Sequence, residues 1–331
     1  MTAARNITVA LAAVAAAGAA AFAYGSLWER RQFTLRRATV PVLPSGAAPI
    51  RVLHLSDLHM APWQKAKQEW VRALAGEHPD FIVDTGDNLG HPDAIEAVAY
   101  ALEPFDGIPG VFVNGSNDYF GPTPKNPLKY FTGPSKTSRA AATLDIERLQ
   151  GVFAQLGWTN LNNAAAAIDV RGTRLELFGV DDPHRHFDRL EVLTTAIDEL
   201  HENDPLLVEG DTWPDSATSA QDAADSRRST LTVGVAHAPY QRVLNSFLNH
   251  GAELIFAGHT HGGQVCLPGY GALVTNCDIP RRQAKGLSLW RHGLRSAFLN
   301  VSAGLGTSIY APVRFACRPE ASLLTLVAAD A

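Results

Sequence analysis

"AELIFAGHTHGG", residues 252–263, decides how this chain is read. An apolar run, Leu254 to Ala257, stops abruptly at two histidines framed by Gly258, Gly262 and Gly263. The run reads as a buried strand, and the glycines as a tight turn that lets backbone approach an ion or a phosphate. Paired histidines among glycines add little as packing, so His259 and His261 point to ligation.

The same grammar recurs upstream. "IRVLHLSDLHM" (50–60) ends in Asp57 and His59, and "DFIVDTGDNLG" (80–90) in Asp87. "GVFVNGSNDYF" (110–120) ends in Ser116, Asn117 and Asp118, and "TLTVGVAHAPY" (230–240) in His237. Helix-like stretches, "QKAKQEWVRALAGE" (64–77) and "DAIEAVAYALEPF" (93–105), lie between the first three. Strands apolar on both faces and alternating with helices predict a helix-covered sheet, with the functional loops at the strands' carboxyl ends. Within each pair, Asp57 and His59 or His259 and His261, a spacing of two places both side chains on one side of an extended segment. The late strands at 295–306 and 321–330 read as the rim of a second sheet.

Imidazole and oxygen donors without thiolates suit manganese, iron or zinc. Asp57, His59, Asp87, Asn117, His237, His259 and His261 are too many donors for one ion. They suit two divalent ions roughly 3.5–4 Å apart.

The order D-x-H, G-D, G-N-H-D/E, H, G-H-x-H resembles the signature of the calcineurin-like metallophosphoesterases. "HLSDLH", "TGDN" and "GHTHGGQ" look most like the bacterial membrane-associated phosphodiesterase branch of that family. The resemblance implies a four-layer α/β/β/α sandwich preceded by one N-terminal hydrophobic helix. It implies Asp57, His59 and His261 on one ion, His237 and His259 on the other, and Asp87 bridging both. It implies hydrolysis by a metal-bridging hydroxide, with catalytic contributions from Asp87, Asn117, Asp118 and His237. A β-lactamase-type di-metal enzyme is disfavoured, because the chain has no HxHxDH stretch.

The third motif departs from the pattern. Gly115 and Asp118 match, but Ser116 stands at the family's Asn and Asn117 at its His. We expect Asn117 as the ligand, because an amide oxygen ligates better than a neutral hydroxyl, with Ser116 the alternative. Asp118 is expected to orient its neighbours. Without a histidine to protonate the leaving group, substrates with good leaving groups are expected, such as phosphoanhydrides or activated diesters. The alternative is a weakened binding or scaffold module on the same fold.

Composition fits that reading. The chain has 331 residues, 46% hydrophobic and 18% charged, with a net charge of −5 spread along it. No basic field grips nucleic acid. The expected substrate is a phosphate-containing small molecule or a lipid-linked one. Cys266, Cys277 and Cys317 form no zinc-type spacing, and one bridge between two of them is left open.

Ile7 to Trp28 carries no charge, and about 20 such residues as a helix rise roughly 30 Å, the thickness of a bilayer core. Residues 1–28 are expected as a membrane anchor, with a signal cleaved near Ala21–Ala23 as the rival. Arg30, Arg31, Arg36 and Arg37 outnumber Arg5, which favours the cytoplasmic face. Residues 29–49 read as a linker, with an extended entry strand in 38–50, and 50–331 as the metallophosphoesterase domain. Residues 121–143 and 202–229 read as surface insertions, the first a lid with Lys125, Lys129 and Tyr130. His184 and His186 carry no assigned role, while Asp181 to His184 end another strand beside the pocket.

Overall fold

The computed structural model describes residues 2–123, 141–202, 230–307 and 310–330. Helix α1 (Thr2–Leu27) leads through a 3-10 turn at Glu29–Arg31 into strand β1 (Thr34–Leu43). Strands β2 (Ile50–Leu55), β3 (Phe81–Asp84), β4 (Gly110–Phe112) and β5 (Trp158–Asn160) then run parallel to one another. Helices α2 (Lys65–Ala73), α3 (Ile95–Leu102), α4 (Ser116–Tyr119) and α5 (Ile146–Gln155) lie between them in sequence.

The second half builds another six-stranded sheet. It holds β6 (Ala164–Val170), β7 (Thr173–Gly179), β8 (Thr230–Ala236), β9 (Leu254–Ala257), β12 (Gly286–His292) and β13 (Arg295–Val301) in the order β12-β13-β9-β8-β7-β6. A two-stranded hairpin, β10 (Cys266–Leu267) with β11 (Gly271–Ala272), stands apart. Helices α6 (Leu190–Glu202) and α7 (Gln241–Asn249) belong to this half.

Alternation along the strands sets the layers. In β2 and β3, Ile50, Val52, Phe81 and Val83 face a core shared with Leu175, Val233, Val235 and Phe256 of the other sheet. Leu53, Leu55 and Ile82 face the opposite way and pack with Val71, Val98 and Phe153 of α2, α3 and α5. On the far side of the second sheet, Phe178, Ile255 and Leu299 meet Leu193 of α6 and Val243, Leu244 and Phe247 of α7. The period-2 pattern thus gives each sheet two apolar faces, and the result is the four-layer α/β/β/α sandwich.

Two stretches sit differently from their reading in sequence. The last strand, β14 (Glu320–Ala328), belongs to the first sheet, whose order is β1-β14-β2-β3-β4-β5. It pairs antiparallel with β2 and parallel with β1. Its almost continuous burial is that of an interior strand, since both faces are covered. Much of 29–49, expected as a linker with an extended entry strand, is the ten-residue strand β1, registered on β14 from Thr34↔Glu320 onward. Only a partner almost 300 residues away makes that segment strand.

Among the described residues one candidate span, Arg5–Arg31, has a mean hydropathy of 2.0 and is long and apolar enough to cross a membrane. Its lower end is fastened to the domain. Gly25 O accepts from Arg314 N at 3.2 Å, and the buried Glu29 carboxylate accepts from Ala316 N and Cys317 N at 3.0 and 2.7 Å. A Cβ on Gly25 would lie 2.6 Å from Arg314 O, so only glycine permits this approach. All three cysteines are free and buried. The inserted segments fall largely outside the described residues, as do Lys125, Lys129 and Tyr130.

Candidate metal centre

The polar clusters lie in loops that follow β2, β3, β4, β8 and β9, and neighbouring loops are zipped to one another. Asp57 N donates to Gly86 O at 2.8 Å, His59 N to Asp87 O at 3.0 Å, and Gly258 N to His237 O at 2.8 Å. The conformation is not the extended one that a spacing of two suggested. Asp57, His59, Asp87, His259 and His261 all have positive φ, 49°, 38°, 57°, 66° and 50°. Non-glycine residues seldom adopt this region, and five together mark a site where backbone strain serves a geometry. Crowding tightens it further. A Cβ on Gly258 would collide with Ser56 Oγ and stand 2.6 Å from Asp57 Oδ2.

Two groupings of side chains can each hold an ion. Ligand atoms of Asp57, His59 and His261 all lie within 4.8 Å of one another, as do those of Asp57, Asp87 and His237. Asp57 is common to both. Asp87 also spans them, with Oδ2 3.5 Å from His59 Nε2 and Oδ1 3.5 Å from His237 Nε2. His259 joins through Nδ1, 3.3 Å from His237 Nε2. His59 Nε2 and His261 Nε2 face each other at 3.3 Å. Imidazole nitrogens pointed at one another leave a shared point where a cation fits.

Charge argues the same way. Asp57, Asp84, Asp87, Asp118 and Asp182 are all buried in these loops. The buried lysine and arginine side chains among the described residues are Lys67 and Arg314. Both are engaged with carbonyls: Lys67 Nζ donates to Leu58 O at 2.6 Å and Arg314 Nη2 to Gly306 O at 2.6 Å. So many buried carboxylates need compensating charge, and divalent ions fit this donor set.

The titrations follow from this crowding. Burial, with Asp87 beside it, raises Asp57 to about 6. Burial opposes ionisation of Asp87 too, but His237 and His59 outweigh it and hold that carboxyl well below its usual range. Burial likewise disfavours a charged His237, yet Asp87, Asp57 and Asp182 lift it to about 9. His237 Nδ1 donates to Thr85 O at 2.7 Å, which turns Nε2 towards Asp87.

The altered third motif forms the first turn of α4. Ser116 Oγ donates to Asp182 Oδ2, away from both groupings. Asn117 faces the cluster, its backbone N donating to Asp87 Oδ1 at 2.7 Å and its Nδ2 to Asp87 Oδ2 at 2.6 Å. Asp118 lies behind, accepting from the backbone N–H of Asp87, Gly115 and Asn88 at 2.8, 2.9 and 2.7 Å. One carboxylate thereby clamps the second motif to the third. Of the seven expected donors, Asp57, His59, Asp87, His237 and His261 fall in the two groupings, His259 lies beside His237, and Asn117 reaches Asp87 with its amide nitrogen, while Ser116 turns away.

The sequence placed Asp181 to His184 beside the pocket without a role, and it missed Arg314 altogether. Asp182 approaches through Ser116, and the His184 ring lies 4.6 Å from that of His259, its Nδ1 2.9 Å from Tyr240 Oη. The signal was there, since "DDPH" ends β7. Arg314 had none. It is fully buried, and its Nη2 also donates to Ala303 O and Gly304 O at 2.7 and 2.9 Å, around the loop beside His261.

Comparison with known proteins adds the following. The sequence model of a family described as Calcineurin-like phosphoesterase matches residues 50–263. YpbG of Bacillus subtilis (strain 168), an uncharacterised protein, is 24% identical over 97% of this chain and 98% of its own length. The uncharacterised metallophosphoesterase YkuE of the same organism is 24% identical over 96% of this chain and 93% of its own. Among solved structures, TT1561 of Thermus thermophilus aligns at a TM-score of 0.41 and 13% identity, covering 78% of this chain and 91% of that one.

Proposed function

This chain belongs to the calcineurin-like phosphoesterase family, a metallophosphoesterase hydrolase, and we propose that it cleaves phosphodiesters or phosphoanhydrides at a dinuclear site. Asp57, His59 and His261 would hold one divalent ion in this reading, and His237, His259 and Asn117 the other, with Asp87 available to both. Such ions lower the pKa of a bound water and neutralise charge on the phosphoryl oxygens. Manganese, iron and zinc all suit the donors.

The chain's own residues do the positioning. Asn117 steadies Asp87 through two hydrogen bonds, and Thr85 O keeps His237 Nε2 turned inward. Asp118 fixes the backbone beneath both. The amide of Asn117 can orient phosphate or ligate through its oxygen, but it cannot give up a proton at neutral pH. The leaving oxygen must therefore depart without that help. A good leaving group follows as the substrate requirement.

Supporting this reading above all is the convergence of Asp57, Asp87, His59, His237 and His261 within ligand distance. The second reading, a weakened binding module, draws on Asn117 at the position of the proton donor. Purified full-length protein with added Mn²⁺, assayed on bis-p-nitrophenyl phosphate, pyrophosphate and an alkyl phosphomonoester beside metal analysis, separates them. Turnover of the first two supports the enzyme; bound metal without turnover of any supports the module.

Helix α1 is read as an uncleaved membrane anchor, with the substrate then small or lipid-linked. Its apolar side chains, Ile7, Val9, Leu11, Val14 and Phe22, are exposed on the described surface. The cytoplasmic face is favoured by the arginines that follow it.

A further inference from the structure

Where α1 meets the domain, two adjoining clefts of about 500 and 360 Å³ share Pro268, Lys285 and Ala316 in their walls. Tyr24 of α1 lines the first, and Gly262 of the metal loop lines the second. The larger holds Arg36, Lys285 and Arg318, and the smaller Arg281, Arg282 and Lys285.

The charges here are unbalanced. The acids of the larger cleft are already engaged, Glu29 with the Ala316 and Cys317 N–H groups and Glu320 with Arg36 at 2.7 Å. No acidic residue lines the smaller cleft. Among the described residues, Arg282, Lys285 and Arg318 form no ion pair, although the Lys285 ammonium reaches Cys317 Sγ at 3.6 Å. Arg281 lies against Tyr270, its guanidinium 5.3 Å from the ring centroid. A cleft with a cationic lining and unspent donors takes an anion, and guanidinium groups suit phosphate.

The surroundings indicate which anion. Tyr24 and Trp28 at the foot of α1 are exposed, as are Leu267 and Tyr270 on the β10–β11 hairpin, whose Pro268 lines both clefts. Aromatic side chains at the end of a span mark the level of the headgroups. A cationic cleft at that level meets lipid phosphate before any solute.

We propose that this double cleft binds the phosphate of an anionic phospholipid headgroup, at a site separate from the metal centre. The proposal rests on the reading of α1 as a membrane anchor. The bound headgroup sits between Arg318 and Arg282, with Lys285 shared, and the hairpin tip dips into the interface beside it. Because Gly262 follows His261 directly, a lipid held there lies beside the metal loop.

The test uses the full chain in a neutral detergent, with dihexanoyl-phosphatidylglycerol, dihexanoyl-phosphatidylcholine and inorganic phosphate as probes in binding titrations. The anionic phosphatidylglycerol is expected to bind at least tenfold more tightly than either of the others. Arg282→Gln with Arg318→Gln is expected to weaken it about 25-fold, about fivefold for each cation removed near the surface. Asp87→Asn is expected to leave it unchanged. Equal binding of both lipids, or no loss in the double variant, overturns the proposal; inorganic phosphate binding as tightly as the phosphatidylglycerol overturns the lipid as its source. Resistance of the membrane-bound chain to alkaline extraction reports on the anchor independently, so the two readings fail separately.

Discussion

Asn117 grips Asp87 twice, by backbone N–H to Oδ1 at 2.7 Å and by Nδ2 to Oδ2 at 2.6 Å. The family's histidine position is thus occupied by a group that orients the shared carboxylate but cannot donate a proton in the reaction. Asn117→His restores such a donor. Turnover of an alkyl phosphomonoester is expected to rise about 10²-fold relative to an aryl diester, the low end of general-acid assistance. A ratio of kcat/KM values that stays where it is in wild type counts against the assigned position.

Asp87 lies 3.5 Å from both His59 and His237, one carboxylate oxygen turned to each. Asp87→Asn is expected to lower kcat about 10³-fold or more, since it removes several kcal/mol of charge stabilisation. Bound metal is expected to fall in parallel in elemental analysis. Full metal content with undiminished turnover would place the chemistry elsewhere.

Asp118→Ala removes the acceptor for the N–H groups of Asp87, Asn88 and Gly115 where Asp118 itself is fully buried. Buried donors left unpaired cost about 1–3 kcal/mol each, so chemical denaturation is expected to show a loss of about 3 kcal/mol or more. Activity is expected to fall with it, because the second and third motifs lose their clamp. A loss below about 1 kcal/mol would show the loops held by other means.

His54 is wholly buried, with Nε2 3.0 Å from Thr85 Oγ1 and Nδ1 2.8 Å from Asn300 Nδ2. Burial pushes its pKa down from 6.5 to about 3. Between those values the unfolded chain binds the proton and the folded chain does not, so this group's stability is lost as pH falls through that window. Comparing metal-free wild type with His54→Gln, the wild type is expected to lose about 3 kcal/mol more between about pH 6.5 and 4. Parallel pH profiles would show that His54 charges freely in the fold.

Glu29→Ala leaves the Ala316 and Cys317 N–H groups without their acceptor and frees the foot of α1 from the segment that carries Arg314. Stability is expected to fall by about 2 kcal/mol. Limited proteolysis after Arg30 or Arg31 is expected to quicken several-fold. Unchanged cleavage would mean that α1 is tethered by its chain alone.

Much of this was written in local sequence. The apolar runs at 50–55, 81–84 and 254–257 announce strands because short runs apolar on both faces, each stopped by a polar cluster, are local signals. The donors Asp57, His59, Asp87, His237, His259 and His261 were legible for the same reason, each ending such a run. Pairing partners were not. β14 lies between β1 and β2 because the carboxyl end of the chain returns across some 270 residues, and no neighbouring residue encodes that. Nor could spacing reveal the left-handed backbone of Asp57, His59, His259 and His261, which the zipped loops impose. Donor chemistry favoured Asn117 over Ser116, but only the fold shows one side chain turned to Asp182 and the other to Asp87. Donor chemistry is a property of single residues, whereas the direction each side chain takes is set by what packs against it, and that is a property of the folded chain alone.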